Sequence, residues 1–95
     1  MLQNDNEQIS PIPSASWREV VSRLIKSEMS KRKIKYDDLS RLLEELGTKQ
    51  TAANLRNKIN RGIMGADLLI QLVLVLNLQH LTPDMIREIL ETVDE

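Results

Sequence analysis

The residues best suited to chemistry in this chain lie between Gly47 and Gly62, where amide and guanidinium side chains recur at helical spacing. Gln50, Ala53, Asn54, Asn57 and Arg61 follow three- and four-residue steps, which a helix gathers on one face. An amide offers a donor and an acceptor together and bonds bidentately to the edge of adenine, while arginine favours guanine or a phosphate. The small Ala53 permits close approach to a groove, and its methyl can meet that of a thymine. Lys49, Arg56 and Lys58 flank this face as candidate phosphate partners. The plain alternative is a solvated helix that happens to be rich in asparagine. Asparagine forms helices poorly, however, so two on one exposed face ask for a further reason.

Other chemistries find little footing. Asp37–Asp38 and Glu44–Glu45 are adjacent pairs, and successive helix positions diverge by about 100°, so neither pair converges on a substrate or metal. Asp37 and Asp38 fit the first turn of a helix, where carboxylates favour the positive end. His80 is the single histidine and cysteine is absent, so no second soft ligand exists for a metal. A surface position in a link is expected for His80. No nucleophile–base pattern is legible, so the chain is expected not to be an enzyme and to need no cofactor. Gly62–Gly65 matches a GxxG nucleotide clamp, but that module needs strands, and no β alternation surrounds it.

Apolar periodicity places about five short helices around this segment, giving an all-α bundle with a helix-turn-helix inside it. A capping box at Ser16 and Glu19 opens helix 1, which runs from Trp17 to about Arg32 with Trp17, Val20, Val21, Leu24, Ile25 and Met29 inward. Helix 2 covers Tyr36–Leu46 with Leu39, Leu42, Leu43 and Leu46 on one face, and Gly47 begins the turn. Thr51 caps helix 3, which ends at Arg61 before Gly62, with Ala52, Leu55 and Ile59 inward. Helix 4, about Ala66–Asn77, is apolar on most sides and must be covered on most sides. Thr82–Pro83 opens helix 5, whose stripe of Ile86, Ile89, Leu90 and Val93 packs on helix 4 or on a second copy. Residues 1–15 are expected to be a flexible, disordered arm, leaving 16–95 as one domain.

Ninety-five residues permit one modest core, built without phenylalanine and with Trp17 and Tyr36 as the only aromatics. So few rings argue against single-strand modules that stack bases. No apolar run approaches the roughly 20 residues of a membrane span and no secretory leader is legible, so a cytoplasmic protein is expected. The net charge of −1 conceals a division: residues 17–62 carry 12 Lys/Arg against 6 Asp/Glu, and residues 63–95 carry 1 against 6. The positive part is the part that would face phosphates.

From about Leu24 to Leu78 the chain resembles the phage-repressor-like helix-turn-helix family, which has the lambda-repressor fold and includes xenobiotic-response-element-type regulators. The family's G-L-T-Q-E-E-L-A lies over Lys33 to Ser40, its I-x-x-I-E-x-G over Leu55 to Gly62, and its T-L-L-K-L-A-K-A-L-G-V over Leu68 to Leu78. A narrower bacterial set is similar through W…Y-x-x-L…N-L-x-N-K-I-x-R-G. Departures stand beside the likeness. Lys33 and Lys35 replace the glycine and threonine before helix 2, Tyr36 replaces a phosphate-binding glutamine, and Leu74 replaces an exposed lysine. The turn is also about three residues longer than the compact form.

The resulting expectation is sequence-specific binding of double-stranded DNA by a small transcriptional regulator, with helix 51–61 in the major groove. Gln50, Ala53, Asn54 and Asn57 would meet bases, and Lys35, Tyr36, Lys49, Arg56, Lys58 and Arg61 would meet phosphates. A homodimer through Leu74, Leu78, Ile86, Leu90 and Val93 is expected with it. The competing expectation is a helical adaptor that binds a protein partner and no DNA.

Overall fold

A computed structural model of the chain describes residue 11 and residues 13–79 and 81–93. Most of the expected arm, residues 1–10 and 12, lies outside the described residues, as does His80. The helices are α1 (Ser14–Arg32), α2 (Tyr36–Glu45), α3 (Ala52–Arg61), α4 (Ala66–Val75) and α5 (Pro83–Val93). No strand occurs among the described residues, so the fold is all-α as expected.

One device stops each of the first four helices. A residue with left-handed backbone follows the last turn at Lys33 (φ 55°), Gly47 (φ 88°), Gly62 (φ 65°) and Asn77 (φ 54°). The next N–H then reaches back five residues: Ile34 to the Met29 carbonyl, Thr48 to Leu43, Ile63 to Lys58, and Leu78 to Val73. These bonds satisfy carbonyls that a helix end would otherwise leave open. The stop at Asn77 ends α4 at Val75, two residues short of the sequence reading.

Helix starts are more varied. The Thr51 hydroxyl accepts the Asn54 N–H at 3.0 Å, and Thr82 accepts that of Met85 at 3.2 Å, both as expected. Before α2, where the usual cap is missing, the Asp38 carboxylate accepts the Lys35 N–H at 3.0 Å. That bond, followed by Arg41, holds the Asp38 carboxyl below the usual carboxylate range. The capping box at Ser16 is not formed. α1 opens three residues earlier, with Pro13 in the cap position and its carbonyl accepting the Ser16 N–H at 2.9 Å. Glu19 instead pairs with Arg23 one turn on.

Nine aliphatic side chains form the core: Ile25 and Met29 of α1, Leu39 and Leu43 of α2, Leu55 and Ile59 of α3, and Leu68, Leu72 and Leu76 of α4 and its stop. α3 is thereby wedged between α1 and α2, and α4 packs on α2. Each fully buried Leu or Ile contributes about 1.5–3 kcal/mol. Two inward assignments fail: Trp17 and Leu46 are exposed. α4, expected to be covered on most sides, leaves Ile70 and Leu74 about two-thirds exposed.

α5 packs on α1, not on α4. Val20, Leu24 and Leu90 are buried there, apart from the main cluster, and Arg23 bonds to the Thr92 hydroxyl. Glu28 is also buried on α1. Burial alone would raise its pKa, but hydrogen bonds from Arg32 and Lys31 and their charges prevail and hold it below the usual value. Arg32 in turn donates to the Asn77 carbonyl at 3.1 Å, tying the end of α1 to the end of α4. No described helix is long and apolar enough to cross a membrane.

Candidate nucleic-acid interface

Placement of α3 begins with Gly62. A Cβ built there would lie 1.9 Å from the Arg18 carbonyl oxygen, so the end of α3 rests directly on the backbone of α1. With Leu55 and Ile59 fully buried, the opposite side of α3 is turned outward. Ala53, Asn54, Asn57 and Arg61 are all exposed on it. The side chains of Asn54 and Asn57 have no hydrogen-bond partner within the chain among the described residues, so both amides are free for an external one. No acidic residue occurs between Glu45 and Asp67, which leaves α3 and both of its flanking links without a carboxylate.

Two sets of polar side chains border this face. On one side, the six-residue link between α2 and α3 folds against α2, where the Ser40 hydroxyl donates to the Gln50 carbonyl at 2.5 Å. Lys58 donates to the Gln50 side-chain oxygen at 3.4 Å, and both residues are half-buried. Gln50 thus has its side-chain oxygen engaged once already, unlike the two asparagines. Lys49 is exposed beside it, in a shallow groove shared with Asn54 and the carboxylate of Glu44.

Across α3 lies a larger groove of about 440 Å³, formed by the second half of α1, the link to α2 and the near side of α3. Arg56 lies over the Tyr36 ring, 5.1 Å from its centre. Burial pushes the Tyr36 phenol above its ordinary value, partly offset by the Arg56 charge, so it remains a donor at neutral pH. Lys35 is exposed at the rim. Lys26 of α1 also lines this groove and donates to the Asn60 side chain of α3 at 3.2 Å. Sequence reasoning missed Lys26, because nothing in its local pattern marks it out from the other exposed charges of α1.

These placements bring Lys35, Tyr36 and Arg56 together on one side of the amide face, and Lys49, Gln50 and Lys58 on the other. Residues 17–81, from α1 to the link before α5, match a family described as Domain of unknown function (DUF6471). The chain belongs to the DUF6471 family. The DUF6471 match takes in both grooves and all of α3, and it stops before α5. No curated protein and no solved structure matches the chain.

Of the residues expected at a dimer interface, Leu90 is buried within the chain against α1 and is withdrawn from that set. Leu78 is half-buried against the core, and Ile86 and Val93 lie partly covered on α5. Leu74 is open, and Ile70, one turn before it on the same helix, is exposed as well. No group of acidic or histidine side chains suited to a metal occurs among the described residues.

Proposed function

We propose that the chain binds double-stranded DNA with α3 in the major groove, in the manner of a small helix-turn-helix regulator. The observation that carries this reading is the outward row of Ala53, Asn54, Asn57 and Arg61 on a helix without carboxylates, with neither asparagine amide partnered among the described residues. A helix of about 10–12 Å diameter matches a major groove about 12 Å wide. Cationic side chains on both sides of the helix then fall where the two phosphate strands run. Asn54 and Asn57 supply bidentate contacts to base edges, and Arg61, Lys49 and Arg56 supply charge to the backbone.

The test is binding of a labelled mixed-sequence duplex at several salt concentrations. The slope of log affinity against log salt is steep for a protein that neutralises phosphates, and Arg61→Ala lowers it by about 0.9. A slope unchanged in that variant removes Arg61 from the phosphate contacts. Absence of DNA binding at any salt removes the reading.

Ile70 and Leu74, one turn apart on α4, support a second element of the proposal, a homodimer formed through that helix. Large apolar side chains exposed together on one helix mark contact surfaces more often than scattered ones do. The same two residues also favour the competing adaptor reading, in which a different protein covers them and α3 serves no groove. Recovery of one stoichiometric protein partner together with failure to bind DNA selects the adaptor.

A further inference from the structure

The groove between α1 and α3 has a composition that solvation alone does not require. Three cations converge on it from three separate elements: Lys26 from α1, Lys35 from the following link, and Arg56 from α3. Asp37 is the one carboxylate in its lining, so the groove stays positive by two charges. Like charges gathered in a cleft repel, but the field they focus raises the local concentration of an anion. The floor is apolar, made by Met29, Ile34 and the Tyr36 ring, with the Ser30 hydroxyl beside them. A phosphate flanked by sugar has this same character: a compact charge next to carbon-bound hydrogens.

We propose that this groove seats one phosphodiester of the DNA backbone together with its adjoining deoxyribose, and that Lys26 is a direct phosphate ligand. The inference rests on the DNA-binding reading and adds to it a strand-specific anchor on α1, outside the helix pair that would enter the groove. The Lys26 ammonium has three donors and uses one on Asn60, so two are left for phosphate oxygens. Its bond to Asn60 also fixes the ammonium relative to α3. A phosphate held by Lys26 therefore sets the register of α3 along the duplex. The Lys49 side has no such link to α1 and anchors the opposite strand independently.

A fluorescence-anisotropy titration of a mixed-sequence duplex with wild type, Lys26→Ala, Lys26→Arg and Lys49→Ala tests this. Lys26→Ala is expected to lower the salt slope by about 0.9, which makes its affinity loss over a fourfold rise in salt about three- to fourfold smaller than that of wild type. Lys26→Arg keeps the wild-type slope. Circular dichroism establishes that each variant is folded, which the exposure of Lys26 favours. A second measurement replaces single phosphates of a bound duplex by neutral methylphosphonates. The position that weakens wild type should leave Lys26→Ala unaffected. If Lys49→Ala lowers the slope while Lys26→Ala leaves it unchanged, the groove is not a phosphate site and the DNA reading stands without it. If wild type binds no duplex at any salt, both fall.

Discussion

Substituting alanine for Gly62 probes the contact that aims α3. Two effects combine at this position. An alanine in the left-handed region costs roughly 1–2 kcal/mol relative to the right-handed one. In addition, its Cβ would stand 1.9 Å from the Arg18 carbonyl oxygen and 2.7 Å from the Arg18 carbonyl carbon, so α1 and the end of α3 must separate. Because both atoms are backbone, no side-chain rotation relieves the overlap, and overpacking of this kind costs about 1–3 kcal/mol. The total of about 2–5 kcal/mol is a large part of the roughly 5–15 kcal/mol that holds such a domain folded. Gly47→Ala is the matched control, since Gly47 has φ 88° and nothing within 4 Å of its added Cβ. It should lose only the left-handed cost. Urea denaturation followed by far-ultraviolet circular dichroism measures both variants, with equal slopes licensing comparison of the midpoints. The expected gap between them is about 1–3 kcal/mol. Equal losses would refute the close approach of α3 to α1, and with it the geometry that joins Lys26 to Asn60.

Asn57→Ala and Asn54→Ala should each reduce discrimination between base sequences by about 1–3 kcal/mol while leaving the salt slope intact, as read by selection from a random duplex pool followed by titration. A lowered slope with unchanged preference would instead make them backbone contacts. Leu74→Glu should keep the fold and abolish self-association in sedimentation at micromolar concentration; a wild type that is monomeric there contradicts the dimer. Glu28 has a depressed folded-state pKa, so its stabilising effect is complete above the ordinary glutamate range and is lost as pH falls through the folded value. Acid denaturation curves should accordingly show less loss below about pH 4 for Glu28→Gln, which starts from lower stability at neutral pH. A parallel pair of curves would show that Glu28 carries no such linkage.

How far the sequence was legible depended on whether the signal was local. Thr51 and Gly62 bounded α3 correctly because caps and stops act within a few residues of themselves. The outward exposure of Asn54 and Asn57 followed from the positions of Leu55 and Ile59, a matter of helical period alone. The partner of α5 was not legible: a stripe such as Ile86, Ile89, Leu90 and Val93 states that something covers it, not what does. Trp17 and Leu46 misled for a related reason, since periodicity assigns a residue to a face and does not say how far along that face the core extends. At the start of α1, Pro13 competed with Ser16, and its fixed backbone set the first turn earlier. Lys26 lies thirty residues from Arg56 in sequence, and only the docking of α3 onto α1 makes them neighbours.

α5 meets the rest of the chain chiefly through α1, and the DUF6471 match closes at Leu81, before that helix begins. Without α5, the longest helix would keep an oily strip where Val20 and Leu24 stand, and water on that strip is unfavourable. α5 is thus the wall that closes this side of α1, and a chain cut before Pro83 would leave it unroofed.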